Sequence, residues 1–336
     1  MAGKSGDTER HAKPRSVHVI VNPAPSRRIP LLAILNQAFR DAGIHWDIFI
    51  THGTGDGANL ARKAVESGVD VVAVYGGDGT VMEVASGLLG TDVPLLILAG
   101  GTGNLVANEL RLPMRLERAC GRICDDDFFT RRIDVGMIGE HPFLLRIGCG
   151  IEVGVVQGAT REMKDQLGKL AYVWAALRRM QETPEADYEI VLDGRETVRA
   201  RGVACVVANA GTVGVGRLTL SSSVDICDGK LDVFLLKRAN IEGIGQIVEK
   251  LTGLDQLKQA SIEGVLRLVE MTGYDGLRSD DADSDASHPS HALRQWSVEQ
   301  VEIRTDPVLD IQVDGDVIAK TPQTIRVLPS ALRVVV

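Results

Sequence analysis

Three glycines surround a single aspartate in the segment GGDGT at residues 76–80, which directly follows the apolar run 71–75. Because glycine has no Cβ, a backbone of this composition can turn sharply and approach an anion closely. A helix that begins here also offers unpaired N–H groups and a partial positive charge to a phosphate. Asp78 has no apolar role, and a carboxylate beside phosphates suggests contact with Mg²⁺ or a nucleotide hydroxyl. A plain glycine turn that starts a helix is the alternative, since such turns are common at strand–helix junctions.

A second glycine-rich turn, GGTGN at residues 100–104, follows the next apolar run at 94–98. If both runs are neighbouring parallel strands, the two turns lie at the carboxyl edge of one sheet. Ligands bind at that edge in open α/β sheets. The pair of turns therefore predicts a nucleotide-binding site more strongly than either turn alone.

The first apolar run, at 17–21, is followed by NPAPSRR at residues 22–28, and Thr51 follows a second run. Both segments belong to the same predicted edge. Arg27 and Arg28 could hold phosphate oxygens. A solvated pair of surface arginines is an equally good interpretation, because arginines are mostly exposed.

The elements that position these turns alternate regularly in the first 110 residues. Apolar runs and helical spacing predict strands at 17–21, 45–50, 69–75 and 94–98, with helices at 30–42, 56–67, 80–89 and from 104. Such alternation indicates a parallel sheet with helices on both faces. After about residue 130, short strands separated by Asp-Gly turns dominate, at 142–147, 186–192, 198–209, 231–236, 299–304, 309–313 and 323–335. The second part is therefore predicted to be a mainly antiparallel β domain.

Composition excludes several classes of protein. The net charge of −8 repels nucleic acid and anionic bilayers, and the 4% aromatic content argues against base stacking. No apolar run reaches the roughly 18 residues of a membrane-spanning helix. The polar start of the chain lacks the apolar core of a signal peptide, and the five cysteines show no metal-ligand spacing. We expect a cytoplasmic protein with reduced thiols that binds no nucleic acid.

Taken together and in order, the motifs resemble the diacylglycerol kinase catalytic-domain family, which includes soluble bacterial lipid kinases and sphingosine kinases. The matching motifs run through almost the whole chain. They are Asn22-Pro23, GGDGT at 76–80 with Glu83, GTGN at 101–104, GCGIE at 148–152, Asn209 with Gly211, Gly214 and Gly216, DGKLD at 228–232, DGD at 314–316 and VLPSAL at 327–332. GGDGT alone is shared with NAD kinases and phosphofructokinases, whereas the ordered set is much more specific.

The resemblance implies an α/β ATP-binding domain with a parallel sheet and a C-terminal β-sandwich domain that takes the lipid. It implies that the last strand returns to the first domain. The expected division is a disordered tail at 1–15, the ATP-binding domain at 16–130 with 322–336, and the β-sandwich domain at 131–321. Residues 275–291 are acidic and rich in serine, so we expect an exposed loop there.

The resemblance also implies the residues of the site, with ATP and Mg²⁺ as cofactors. The residues expected to bind ATP are Asn22, Pro23, Ser26, Thr51, Gly76, Gly77, Asp78, Gly79, Thr80, Met82, Glu83, Gly101, Thr102, Gly103 and Asn104. Asp225, Asp228 and the carbonyl of Lys230 match a loop that binds a structural Mg²⁺ in bacterial members. Without the resemblance, Asp228-Gly229 would be read as a simple turn.

A carboxylate of the triplet Asp314-Gly315-Asp316 is implied to be the base that takes the proton from the lipid hydroxyl. The family usually has glutamate at the last position, so either aspartate is a candidate. A hairpin turn is the competing interpretation of this Asp-Gly sequence, and a turn can also present a carboxylate.

The sequence thus predicts an ATP-dependent lipid kinase whose substrate is of the diacylglycerol or sphingoid type. Leu105, Met82 and Glu152 depart from the usual family pattern, so the lipid need not be diacylglycerol. An NAD-kinase-type enzyme and a non-catalytic lipid- or nucleotide-binding regulator remain as alternatives. The basic amphipathic segment 161–181 suits either docking at the inner membrane surface or packing on the β domain. A homodimer also stays open.

Overall fold

The structure, a computed structural model, describes residues 8–24, 29–150, 183–213, 218–219, 223–237, 293–313 and 316–336. The chain forms two compact units. The first comprises Met1–Met137, Asp225–Gly229 and Val327–Val336, and the second comprises Ile138–Val224 and Lys230–Arg326. The segments 161–181 and 275–291, for which a helix and an acidic loop were expected, lie outside the described residues.

The first unit contains the described helices and a largely parallel sheet. The helices are α1 Leu31–Asp41, α2 Asp56–Glu66, α3 Asp78–Leu88, α4 Leu105–Glu109 and α5 Leu116–Gly121. The strands are β1 Thr8–Ala12, β2 Ser16–Val21, β3 His45–Ile50, β4 Val71–Gly76, β5 Leu95–Ala99, β6 Asp127–Ile138 and the later part of β19 Gln323–Val335. The strand order β3-β2-β4-β5-β19 is parallel throughout.

The central strands β4 and β5 are buried on both faces, which explains the continuous apolar runs in their sequence. Val71 and Ala73 of β4 belong to a core formed with Leu35 and Phe39 of α1. Val74, which points to the opposite face because side chains alternate along a strand, is also fully buried. The sheet therefore holds its carboxyl ends rigidly, and the glycine turns begin there.

The second unit consists of antiparallel sheets. Its strands are β7 His141–Phe143, β8 Arg146–Gly150, β9 Ala186–Leu192, β10 Glu196–Gly202, β11 Ala204–Ala208, β12 Thr212–Val213, β13 Leu218–Thr219, β14 Leu231–Leu236, β15 Leu293–Val298, β16 Gln300–Asp306, β17 Asp310–Val313 and β18 Asp316–Lys320, with the start of β19. One sheet has the order β15-β14-β11-β8-β17-β18, and β10-β9-β16 pair in another. A Cβ added to Gly150 of β8 would lie 2.9 Å from the hydroxyl of buried Tyr188 of β9, so the two sheets face each other.

The fold class predicted from the sequence is confirmed, whereas several elements differ from the prediction. Residues 8–12 form strand β1, antiparallel to β6, although a disordered tail was expected for 1–15. The backbone hydrogen-bonding partner of β1 is β6, a strand that the sequence did not indicate. The predicted strand 198–209 is divided at Val203 into β10 and β11. The return of Asp225–Gly229 to the first unit was also unforeseen.

Candidate functional site

The two glycine-rich turns, which follow β4 and β5, are joined through one carbonyl group. The N–H groups of Gly100 and Gly101 both donate to the Gly76 oxygen, at 2.9 and 3.1 Å. A Cβ on Gly100 would lie 3.0 Å from the ring of Tyr75, so a larger residue would displace the turn. The prediction that the turns lie together at the carboxyl edge of the sheet is confirmed.

Asp78 connects the first turn to the helix that follows the second. Its Oδ1 accepts a hydrogen bond from the N–H of Val106 at 3.1 Å, in the first turn of α4. A carboxylate in this position satisfies one of the N–H groups that every helix leaves unpaired at its start. Asp78 therefore has a structural contact in addition to any contact with a ligand.

Asn104 folds the second turn. Its backbone is left-handed, with φ of 48°, a conformation that asparagine tolerates better than most residues. The side-chain Oδ1 accepts from the N–H of Gly101 at 2.9 Å, and Nδ2 donates to the Gly101 carbonyl at 2.8 Å. Asn104 is only 5% exposed, and its carboxamide stabilises the turn through these two hydrogen bonds.

A cavity of about 240 Å³, here named the small cavity, lies between these turns. It is lined by Asn22, Ala24, Tyr75, Gly76, Gly77, Asp78, Gly100, Gly101, Thr102 and Gly103. Helix α3 begins at Asp78, beside it, and the first N–H groups of the helix have no partner within the helix. Backbone N–H groups and the partial positive charge of a helix start suit a phosphate chain.

A cavity of about 510 Å³, the large cavity, has Asn22 and Ala24 in common with the small one. Its lining is Asn22, Pro23, Ala24, Thr51, His52, Gly53, Thr54, Thr80 and Glu83. Asn22 fixes the boundary between the two cavities. Its Nδ2 donates to Thr80 Oγ1 at 2.9 Å, and its Oδ1 accepts from the N–H of Ala24 at 2.9 Å.

Two carboxylates hold the loop between Thr51 and α2, which forms one wall of the large cavity. Asp56 Oδ2 accepts from the N–H groups of His52 and Gly53, at 2.8 and 3.0 Å, and these bonds lower the pKa of Asp56. Glu83 of α3 accepts from the N–H groups of Gly55 and Gly57, at 2.9 and 3.0 Å. Hydrogen bonds within the protein therefore hold this wall in place.

Most of the residues predicted to bind ATP line one of the two cavities. Gly79, Met82 and Asn104 are described but line neither, and Ser26 lies outside the described residues. Sequence reasoning did not single out His52, Gly53, Thr54 and Tyr75 as lining residues, whereas Ala24 and Gly100 fall within segments that it assigned to the site. Residues 52–54 follow the predicted Thr51 and Tyr75 precedes the predicted Gly76, so continuity along the chain was the available signal.

The candidate metal loop is a tight turn. The N–H of Asp228 donates to the Asp225 carbonyl at 3.3 Å, and Asp225 Oδ1 accepts from the N–H of Cys227 at 3.0 Å. Among the described residues, no three or more His, Cys, Asp and Glu side chains are grouped so that they could hold a metal. Carboxylates are suitable ligands for Mg²⁺, but carbonyl groups, such as that of Lys230, and water would have to complete the set.

Buried Asp134 of β6 fastens this turn. Asp134 Oδ2 accepts from the N–H of Gly229 at 2.6 Å, and Oδ1 accepts from the N–H of Ser330 at 2.7 Å. The N–H of Asp134 donates to the Ile226 carbonyl at 2.8 Å. Burial raises the pKa of Asp134, and it raises the pKa of the nearby Cys227 thiol to about 11.

The candidate bases belong to the second unit. Asp314 lies outside the described residues, and Asp316 is exposed at the start of β18. Strands β17 and β18, which flank the Asp-Gly sequence, pair in antiparallel fashion as predicted.

The comparisons with known proteins identify two domains in this chain. The family model described as the diacylglycerol kinase catalytic domain matches residues 16–138. A second model, described as the YegS C-terminal NAD kinase beta sandwich-like domain, matches residues 146–277. Among the residues that the structure describes, none of the helices has the length and apolarity needed to cross a membrane.

Similar proteins carry kinase names. The chain is 26% identical over 296 residues to a "Putative lipid kinase" of Staphylococcus haemolyticus, covering 86% of this chain and 85% of that protein. It is 32% identical over 182 residues to a "Diacylglycerol kinase" of Mycobacterium tuberculosis, covering 53% of this chain. The chain spans little more than half of some relatives, 58% of the mycobacterial protein and 55% of an uncharacterized Synechocystis protein.

A solved structure has the same fold over nearly the whole chain. It is the crystal structure of a "putative diacylglycerol kinase" from Bacillus anthracis, with a TM-score of 0.69 and 22% sequence identity. The match covers 97% of this chain and 98% of that one. The pairing of an α/β unit with an antiparallel β unit is therefore common to both proteins.

Proposed function

We propose that this chain, which belongs to the diacylglycerol kinase catalytic-domain family, transfers the γ-phosphoryl group of ATP to a lipid hydroxyl group. The proposed acceptor is a lipid of the diacylglycerol or sphingoid type. The proposed cofactors are ATP and Mg²⁺. We further propose that the protein acts in the cytoplasm and meets its substrate at the inner membrane surface.

The observation that supports phosphoryl transfer most directly is the contact between the two glycine-rich turns. Gly100 and Gly101 share the carbonyl of Gly76, and the small cavity lies beside the start of α3. A cavity lined largely by glycine backbone allows phosphate oxygens to approach N–H groups closely. The large cavity, which has Asn22 in common with it, offers room for the nucleoside.

The acceptor is proposed from the relatives. The staphylococcal protein is named as a lipid kinase and the mycobacterial one as a diacylglycerol kinase. Phosphoryl transfer needs a group that takes the proton from the attacking hydroxyl. We assign that role to Asp314 or Asp316 of the β17–β18 hairpin.

The roles of the remaining predicted residues follow from their positions. Asp225, Asp228 and the Lys230 carbonyl would hold a structural Mg²⁺, and Asp134 keeps their turn in place. A Mg²⁺ ion bound with the nucleotide supplies neutralisation of phosphate charge during transfer. Thr80 and Asn22 keep the first loop in position between the two cavities.

One observation favours a second candidate function. The model that matches residues 146–277 is described as NAD kinase-like, and GGDGT occurs in NAD kinases. An NAD-kinase-type enzyme would transfer phosphate to a soluble nucleotide. The lipid reading is stronger, because the late Asp314 triplet and the LPSAL segment at 328–332 match the lipid kinases.

The test is to incubate the purified protein with γ-labelled ATP, Mg²⁺ and a mixed lipid extract, and in parallel with NAD. Label in a lipid product that depends on Mg²⁺ would support the proposal. Label in NAD would select the second candidate. ATP binding without transfer to any acceptor would instead indicate a non-catalytic regulator.

A further inference from the structure

Glu83 lies on the helix that serves both cavities. Helix α3 begins at Asp78, beside the small cavity, and Glu83 follows in its second turn, at the large cavity. Both carboxylate oxygens of Glu83 are used, because Oε1 accepts from Gly55 and Oε2 accepts from Gly57. A side chain of α3 thus fixes the start of α2.

Gly57 makes this contact close. A Cβ on Gly57 would lie 2.9 Å from both the Cβ and the Oε2 of Glu83. Only a glycine therefore lets the loop approach α3 at this distance. The same loop carries Thr51, His52 and Thr54, which line the large cavity.

The hydrogen bonds of Glu83 also separate the roles of the two cavities. The N-terminus of α2 is a place where a phosphate could bind, but the Glu83 carboxylate already accepts two of its N–H groups. The start of α3, beside the small cavity, is therefore the better site for phosphates, and the large cavity has room for the uncharged nucleoside.

We propose that Glu83 is a positioning residue that sets the selectivity of the site for a nucleotide over an inorganic polyphosphate. It does so by holding the loop between Thr51 and Gly57 as a wall for the nucleoside, and by occupying the Gly55 and Gly57 N–H groups that a phosphate could otherwise bind. This inference rests on the proposed function and deepens it. Glu83 touches no reacting atom in this role.

The substitution Glu83→Gln tests the inference with the full-length protein. A glutamine retains one acceptor oxygen, and its NH₂ group faces an N–H that loses its partner. Loss of one charge-assisted bond to the wall should weaken ATP binding about tenfold. Binding of inorganic tripolyphosphate should not weaken, because the small cavity keeps its lining. Titration calorimetry with Mg²⁺ and each ligand measures the two affinities.

Hydrogen exchange of the free protein provides a readout without any ligand. The amides of Gly55 and Gly57 should exchange faster in the Glu83→Gln variant, with unchanged protection in β4. Glu66→Gln is the matched control, since Glu66 is an exposed residue of α2 and makes the same change in charge. Its ratio of ATP to tripolyphosphate affinity should equal that of the wild type.

The inference is wrong if Glu83→Gln weakens ATP and tripolyphosphate equally, or if it changes neither affinity. A wild-type protein that binds neither ligand would contradict the proposed function itself. If the wild type binds both ligands and the variant has the same ratio of ATP to tripolyphosphate affinity, only the role of Glu83 is contradicted. If Glu83→Gln does not fold, Gly57→Ala tests the contact between Gly57 and Glu83 from the side of α2. It should lower the ratio of ATP to tripolyphosphate affinity. Gly121→Ala is its control, because a Cβ there meets nothing within 4 Å.

Discussion

Gly101 lies so close to Gly77 that a Cβ added to Gly101 would be 2.6 Å from the Gly77 Cα. The contact is between two backbones, so neither turn can move away without opening the small cavity. The second glycine of GGTGN is therefore required for packing as well as for turning. Its environment differs from that of Gly79, where an added Cβ would meet nothing within 4 Å.

Gly101→Ala should separate the two turns and remove ATP binding. The cost of overpacking is about 1–3 kcal/mol of the free energy of unfolding. Urea unfolding and calorimetric titration with ATP and Mg²⁺ measure the two effects. Gly121→Ala should leave ATP affinity unchanged and should not lower stability, since its new methyl group has open space and alanine is favoured over glycine in a helix. Normal ATP affinity in Gly101→Ala would contradict the assignment of the small cavity.

Gly87→Ala tests the close crossing of α2 and α3. A Cβ on Gly87 would clash with the Ala58 carbonyl oxygen and lie 2.7 Å from the Ala61 Cβ. The helices would have to separate, so we expect a loss of about 1–3 kcal/mol in the free energy of unfolding. Chemical denaturation is the measurement. Stability equal to that of the wild type would show that the two helices can separate at little cost.

Asp78→Asn and Asp78→Ala separate the two roles of Asp78. The asparagine oxygen can still accept from the Val106 N–H, so Asp78→Asn should keep nearly wild-type stability, while Asp78→Ala loses about 1 kcal/mol. Both should raise the KM for ATP about tenfold, because both remove the charge that we expect beside Mg²⁺ and phosphates. Steady-state kinetics measures the KM for ATP in both variants. A wild-type KM in Asp78→Asn would mean that Asp78 acts only through α4.

Asp314→Asn and Asp316→Asn identify the base. Removal of the proton acceptor should lower kcat by about 10²–10⁴-fold and leave ATP binding near normal. The variant at the other aspartate should retain much more activity. Single-turnover kinetics with the identified lipid, together with ATP titration, gives both quantities. Loss of ATP binding in either variant would argue against its role as the base.

His11 should make stability depend on pH. Burial lowers the pKa of His11, as does Arg333, while Glu9 acts in the opposite direction. Because the folded pKa is depressed, the unfolded chain takes up the proton first, at about pH 6.5. Stability should therefore fall as the pH drops below that value. In His11→Asn, thermal unfolding between about pH 7.5 and 5.5 should show a smaller loss. Equal pH dependence in both proteins would exclude His11 as the cause.

The sequence was most informative where local pattern and burial agree. Strands β2 to β5 and helices α1 to α3 lie within two residues of the predicted bounds, because a sheet buried on both faces produces long apolar runs. Strand β1 has the sequence TERHA, which shows no such run. It is a strand because β6 pairs with it, and Arg10 forms an ion pair with Asp127 of β6.

The candidate site was predictable in its glycines but less so in its side-chain contacts. The turns at 76–80 and 100–104 can be recognised, since glycine clusters after apolar runs are visible in the sequence. The partners of Glu83 are not visible, because Gly55 and Gly57 lie 28 and 26 residues away and on another helix. Contacts of that kind depend on how the helices pack, which a linear pattern does not encode.

The position of Asp134 bears on how the protein is made. Its carboxylate accepts hydrogen bonds from the N–H groups of Gly229 and Ser330, which the ribosome adds about a hundred and two hundred residues later. A truncated product that stops near residue 137 would lack both donors and also Asp225–Gly229 and Val327–Val336, which belong to the same compact unit. We therefore expect the first unit to mature only after residue 330 has been made, and separate expression of residues 1–137 to yield insoluble material.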